Sequence, residues 1–245
     1  MLELILPAAV ACAESFVDVP ESTLFPAESE ALGTARHEGR RREFTTVRHC
    51  ARRALAELGV PPVAVLPGER GAPVWPHGVV GSMTHSTGYR AAAVASAGRV
   101  RAVGIDAEPH EALPTGVLGA VSRTEERERL AVLAAGCPQV HWDRLLFCAK
   151  EAVYKAWFPM VRRRLGFGDA SVSFDGVAGA GTFRAQITER GRGKDLREMS
   201  VPSVFEGRWT VAGGMLLAAV VIPVDNGPDF AIGSGPHSRA HSPAR

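Results

Sequence analysis

A largely apolar run of about fifteen residues ends in Val103-Gly104-Ile105-Asp106-Ala107-Glu108. On an extended strand successive side chains alternate, so acids two positions apart point to the same face. Carboxylates on one face repel each other and stay ionised together only where water or a cation screens them. A hard divalent ion such as magnesium takes this kind of ligand, usually one or two carboxylates plus substrate phosphates. A strand that simply ends in two solvated acids has the same spelling, so the pair acquires meaning only from the rest of the chain.

The 245 residues suffice for one large domain or two small ones, and 46% apolar content with a mean hydropathy near zero describes an ordinary soluble protein with ample core. A net charge of +2 argues against general affinity for nucleic acid or membrane. Cys12, Cys50, Cys137 and Cys148 form no C-x-x-C pair, which argues against a zinc site or a disulfide framework and fits a reducing cytoplasm. Residues 2–13 faintly imitate a signal peptide, but Glu3, Pro7 and the missing basic start favour a first strand or an extended arm. No run approaches the ~18 apolar residues of a membrane span.

Phe44, Val47, Ala51, Leu55 and Leu58 recur at helical spacing until Gly59 and Pro61-Pro62 stop the pattern. Arg41, Arg48 and Arg52 fall along one flank of that stripe, with Arg40 and Arg42 in the turn before. Such guanidinium groups are either a solvated edge or an anion site, since the planar fork suits phosphate oxygens. Residues 61–81, rich in Pro and Gly, are too long for a simple turn and suggest a binding loop. They lead into Gly81-Ser82-Met83-Thr84-His85-Ser86, where Thr84 and His85 offer phosphate a hydroxyl and an imidazole donor; a purely structural histidine is the alternative. Residues 89–96 and 99–106 then read as two strands of a hairpin turning at Ala97-Gly98, with Asp106 and Glu108 at its far end.

A helix is expected around 124–133, carrying Glu125, Glu126 and Glu128, and a longer one over 141–158, ending before Pro159. Trp142, Leu145, Leu146, Ala149, Val153 and Ala156 form the core face of the second helix. Phe147, Glu151 and Phe158 share the other side, so Glu151 needs a partner: Lys155, Lys150 or a metal, unless it is only a surface i,i+4 pair. Strands are expected at 170–174, 182–187, 208–212 and 215–222, the last two joined at Gly213-Gly214. The second half thus repeats helix and hairpin. Residues 225–245, made of Gly, Pro, Ser and His among others, are expected to be disordered.

Taken together, G-I-D-A-E at 104–108, W-D-R-L-L-F-C-A-K-E-A-V-Y-K at 142–155 and W-P-x-G-x-x-G-S-x-T-H at 75–85 resemble the 4'-phosphopantetheinyl transferases, of the surfactin-synthetase and enterobactin-synthetase type. The resemblance covers about residues 25–223. It implies an α+β fold of two similar halves in pseudo-twofold arrangement, antiparallel sheet with helices: 1–103 for the nucleotide, 104–224 for the metal, and the tail 225–245. It implies an enzyme that moves the phosphopantetheine arm of coenzyme A onto a serine of an apo acyl or peptidyl carrier protein, releasing adenosine 3',5'-bisphosphate. Its expected partners are the carrier proteins of polyketide, nonribosomal peptide or fatty-acid synthases, and a cytoplasmic monomer is expected.

Carried over by position, Asp106, Glu108 and Glu151 match the family's magnesium ligands, and Lys150 and Lys155 its pyrophosphate contacts. Arg40, Arg48, Arg70, Thr84 and His85 match positions holding the nucleotide and its 3'-phosphate. Many relatives carry a lysine inside the G-x-P of the loop, where this chain has Ala72, which leaves Arg70 to supply that charge. The general base is expected at Glu125 or Glu126, or is water. An attacking group supplied by the carrier fits the lack of a Ser-His-Asp or Cys-His constellation. A non-catalytic module binding coenzyme A or carrier would be expected to lack one of the three acids, and another phosphotransferase would carry a Walker-type loop, which is absent.

Overall fold

The computed structural model describes residues 1–33, 37–177, 179–192 and 201–224. The chain begins with a 3-10 turn, Leu2–Leu4, and an edge strand β1 (Ala11–Ser15), followed by α1 (Pro26–Leu32) and the long α2 (Glu38–Glu57). A short ribbon of β2 (Leu66–Pro67) and β3 (Pro73–Val74) precedes β4 (Val79–Ser86), β5 (Tyr89–Ser96) and β6 (Val100–Pro109). Then come α3 (Val117–Val121), α4 (Thr124–Gly136), α5 (Trp142–Val161), β7 (Ala170–Val177), β8 (Ala180–Ile187), α6 (Glu189–Arg192), β9 (Val204–Ala212) and β10 (Met215–Pro223).

Two antiparallel sheets result, ordered β1-β5-β4 and β6-β10-β9-β8-β7, each with a long helix on its outer face. The alternation along β5 explains the layering. Ala92 and Val94 pack on Cys50, Ala51, Ala54 and Leu55 of α2, whereas Tyr89, Ala91, Ala93 and Ala95 face Val103, Ile105 and Ala107 of β6 and Leu217 and Ala219 of β10. On the far side of the second sheet α5 buries Leu145, Leu146, Ala149, Ala152, Val153 and Ala156 against Phe205, Trp209, Leu216 and Ala218. The α+β class and the antiparallel sheets agree with the sequence reading.

The hairpin expected over 89–106 does not form. Both edges of β5 are filled, by β1 and β4, so after the turn at 97–99 the chain passes into the other sheet, where β6 pairs with β10 (Asp106 opposite Ala218). The strand is apolar on both faces because it lies between α5 and the first sheet. Beside β4 two side chains span the gap to β6: the Ile105 N–H donates to Ser82 Oγ (3.1 Å) and Thr84 Oγ1 donates to Asp106 Oδ1 (3.1 Å).

The other differences are smaller. The expected bare loop over 61–81 carries the β2–β3 ribbon, which turns through Glu69–Gly71 with Arg70 in the left-handed region (φ 55°). Helix α5 continues through Pro159 to Val161, since a proline removes one intrahelical donor but the last turn closes when Arg162 N–H donates to Phe158 O (2.8 Å). All four cysteines are free. The tail at 225–245 lies outside the described residues.

Candidate active site

One glycine brings the acids and lysines together. A Cβ on Gly104 would sit 2.0 Å from the Ala152 carbonyl oxygen and 2.6 Å from the Ala156 nitrogen, so α5 lies directly on β6 at this point. Asp106, two residues along the same face, thereby meets Lys155 of α5. It is 5% exposed; its Oδ1 accepts from Lys155 Nζ (2.7 Å) and from Thr84, while Oδ2 is buried with no hydrogen-bond partner. Glu108 leans instead towards the start of α5, where Arg144 Nη1 donates to its Oε2 (3.1 Å). Glu151 makes no hydrogen bond or ion pair among the described residues, so neither lysine supplies the partner its position called for.

Both glutamates still sense Asp106. Burial, and then the negative charge of Asp106, push the carboxyls of Glu108 and Glu151 above the ordinary range; Lys155 opposes this at both, and Arg144 at Glu108. An orphaned, buried oxygen on Asp106, whose charge burdens the two other carboxyls, fits a hard divalent cation. Among the described residues, however, no three acids, histidines or cysteines stand close enough to enclose an ion by themselves. The donor set fits a metal whose remaining ligands come from elsewhere, such as water or phosphate oxygens.

Beside Glu151 opens a cleft of about 250 Å³, lined by Lys150, Tyr154, Arg164, Leu165 and Phe167 among others. Lys150 does not extend freely into it. The side chain is 3% exposed, and Nζ donates to Glu126 Oε2 (2.7 Å) and to Phe167 O (2.7 Å). Glu126 is correspondingly closed: Oε2 also accepts from Arg123 N–H (2.7 Å) and Oε1 from Val172 N–H (2.7 Å). That arrangement corrects the expectation of Glu126 as a base, because every approach to the carboxylate is filled. Glu125 lies at the surface, bonded to Arg123.

The basic cluster is likewise divided. Arg48 is 4% exposed, its guanidinium lies 3.1 Å from the centre of the Phe44 ring, and Nε and Nη1 donate to Val65 O (2.9 Å) and Phe44 O (3.2 Å). Burial lowers its pKa to about 10. Arg41 is committed to Glu21, and Arg52 to Glu28, a carboxylate with no exposure that also receives Val65 N–H and Phe25 N–H. Arg40 stays exposed, Arg70 sits at the ribbon tip, and His85 stands 3.5 Å from Glu43, one residue beyond Thr84 and so close to Asp106.

Residues 27–95 match the 4'-phosphopantetheinyl transferase N-terminal domain and residues 102–198 the 4'-phosphopantetheinyl transferase superfamily. The chain is 51% identical, over 90% of its length and 99% of the relative's, to 4'-phosphopantetheinyl transferase Npt of Nocardia iowensis. It belongs to the 4'-phosphopantetheinyl transferase family. Two further relatives are 46% identical: the transferase Svp of Streptomyces mobaraensis (98% of this chain, 97% of the relative) and PptT of Mycobacterium tuberculosis (89% and 96%). The chain is thus a transferase of the 4'-phosphopantetheine group from coenzyme A to carrier proteins.

One feature of the transferase's site escaped the sequence. Arg144, next to Asp143 at the start of α5, reads there as an ordinary surface charge; only the fold brings the turn after β6 beneath it. Of the consecutive Arg162, Arg163 and Arg164 that follow α5, Arg164 alone lines the cleft. No helix of the transferase, among the described residues, is long and apolar enough to cross a membrane.

Proposed function

We propose that Asp106, Glu108 and Glu151 hold a magnesium ion together with the pyrophosphate of coenzyme A, and that the pantetheine arm runs into the cleft between α5 and residues 164–167. The observation that carries this reading is the buried, unpartnered Oδ2 of Asp106, held in place by Lys155 and Thr84 on the other oxygen. When bound, magnesium would neutralise charge on the pyrophosphate and on the departing bisphosphate. The protein's own groups do the rest. Lys155, 2.7 Å from Asp106, anchors that carboxylate and places a positive charge beside the phosphates. Tyr154, Leu165 and Phe167 offer the arm apolar walls. Lys150, clamped to Glu126, shapes the cleft and contributes a fixed charge to its wall.

In the reaction the carrier serine oxygen attacks the phosphorus that bears the pantetheine. A new P–O bond forms, the P–O bond to the nucleotide breaks, and adenosine 3',5'-bisphosphate leaves with the electron pair. The serine proton goes to water or to Glu125, since Glu126 is sealed. The 3'-phosphate is read by Arg40, Arg70 and His85, which remain approachable, with Arg48 supporting them from beneath. The physiological carriers proposed are acyl and peptidyl carrier domains of polyketide, nonribosomal peptide or fatty-acid synthases, served by a cytoplasmic monomer.

Incubation with coenzyme A, magnesium and an apo carrier, followed by intact mass of the carrier, tests the reading. Gain of one phosphopantetheine by the carrier, lost in Asp106→Ala, is expected. Transfer undiminished after chelation of divalent ions and in Asp106→Ala would refute the metal assignment.

A further inference from the structure

Two of the acids share a pattern. Asp106 gives Oδ1 to Lys155 and Thr84 and keeps Oδ2 open; Glu108 gives Oε2 to Arg144 and keeps Oε1 outside any hydrogen bond among the described residues. In each, one oxygen is anchored by a positive group and the other is left over. This is how outer groups orient a ligating carboxylate.

Arg144 itself is fixed independently of Glu108. Its Nη2 donates to Ala112 O (2.9 Å) and reaches Glu111 Oε1 (3.4 Å), its Nε donates to Glu111 O (3.3 Å), and its side chain is only 12% exposed. The neighbouring Asp143 accepts Leu113 N–H (2.8 Å). The start of α5 is therefore stapled to the turn after β6, and the guanidinium is held beside Glu108 by backbone carbonyls. Glu111 is the other acid facing it, and at 68% exposure its charge is largely screened by water.

Three carboxylates, Asp106, Glu108 and Glu151, stand against two fixed cations, Lys155 and Arg144, which leaves a single net negative charge around the open oxygens. A divalent ion gains little from such a site alone, and the phosphates of coenzyme A supply the missing negative charge.

We propose that Arg144 is a positioning residue, the built-in counter-ion of Glu108, which fixes that carboxylate with one oxygen open and keeps metal affinity low until coenzyme A arrives. The inference rests on the magnesium reading above. Metal and co-substrate then enter together, and the free enzyme does not collect divalent ions in advance.

Manganese bound to the full-length enzyme, followed by electron paramagnetic resonance, tests this without any turnover. Wild type should bind Mn²⁺ weakly alone and far more tightly with coenzyme A. Arg144→Gln removes the charge while its amide nitrogen takes the place of Nε, beside the Glu111 carbonyl, and should tighten binding to the free enzyme on the order of five- to tenfold. Arg144→Lys keeps the charge and should stay within about twofold of wild type. Glu111→Gln, at an exposed position that leaves the fold alone, frees more of the Arg144 charge for Glu108 and should weaken binding by about twofold. Unchanged or weaker binding in Arg144→Gln, a lysine variant that behaves like the glutamine one, or tighter binding in Glu111→Gln overturns the role. A wild-type enzyme that binds no Mn²⁺ even with coenzyme A instead refutes the magnesium reading. Cofactor-dependent Mn²⁺ binding with indifferent Arg144 variants refutes the counter-ion alone.

Discussion

Nζ of Lys150 lies 2.7 Å from Oε2 of Glu126, with both side chains almost fully removed from solvent. The pair ties α5 to α4, and through Val172 N–H and Phe167 O to β7 and the turn before it. Taking one partner away leaves a buried charge without compensation, which costs about 3–5 kcal/mol in pairs of this kind. Lys150→Met and Glu126→Leu should each lower the urea midpoint strongly, and the double replacement should recover much of the loss. Equal losses that simply add would show that the two residues act separately.

The commitment of Arg48 to Val65 and Phe44 separates two effects that sequence alone merges. Arg40→Ala, Arg70→Ala and His85→Ala should each weaken coenzyme A more than dephospho-coenzyme A, since a hydrogen bond to a charged group is worth roughly 1.5–3 kcal/mol. Arg48→Ala should chiefly lower stability, by emptying a buried site and taking the guanidinium away from the Val65 carbonyl. Calorimetric titration with the two cofactors, beside thermal melts, distinguishes the cases. Equal affinity of the wild type for both cofactors would remove the 3'-phosphate from this surface.

The sequence disclosed the long helices α2, α4 and α5, the strand carrying Asp106 and the family motifs because each is written locally, as periodicity or spacing. It could not disclose the partner of β6. The alternating small residues of β5 suit a hairpin as well as a strand whose edges are both taken, and only β1, far away in the chain, decides the matter. The site divides in the same way. Asp106 and Lys155 meet as the motifs imply, by way of Gly104, whose missing Cβ admits the backbone of α5. Lys150 and Glu126 were legible as charges but not as a pair, because their contact depends on how α4 packs on α5, and helix–helix packing is not spelled by either helix alone.

Thiol chemistry offers a check on the core that does not involve catalysis. Burial, joined by the charges of Glu14 and Glu57, raises Cys12 to about 11; burial also raises Cys50 to about 11 and Cys148 well above its ordinary value. A thiol with a raised pKa is protonated at pH 8, and a shift from 9.0 to about 11 lowers its thiolate fraction about a hundredfold. In the native protein, reaction with a disulfide reagent should therefore leave Cys12 and Cys50 slow until the pH approaches 11 and the fully buried Cys148 slow throughout, while the half-exposed Cys137 is labelled at pH 8. Four equal fast reactions would place those thiols at the surface.

The arginines after α5 divide by position, although they are neighbours in sequence. Arg162 adopts the left-handed conformation (φ 55°) that closes the helix, whereas Arg164 lines the cleft beside Glu151 and has no ion pair among the described residues. With the pyrophosphate where it is proposed, a carrier serine would approach beside this cleft and Arg164 would meet the surface around it. If the surface is acidic, the guanidinium steers the encounter, an effect that acts mainly on association and fades with salt. Arg164→Ser should raise KM for the carrier several-fold at low ionic strength and flatten its salt dependence, with KM for coenzyme A nearly unchanged. Arg162→Gly relieves the left-handed strain, so it should leave carrier kinetics alone and hold or raise stability by up to about 1 kcal/mol. If instead Arg164→Ser shifts both KM values together, its role lies with the pantetheine arm in the cleft and the carrier docks elsewhere.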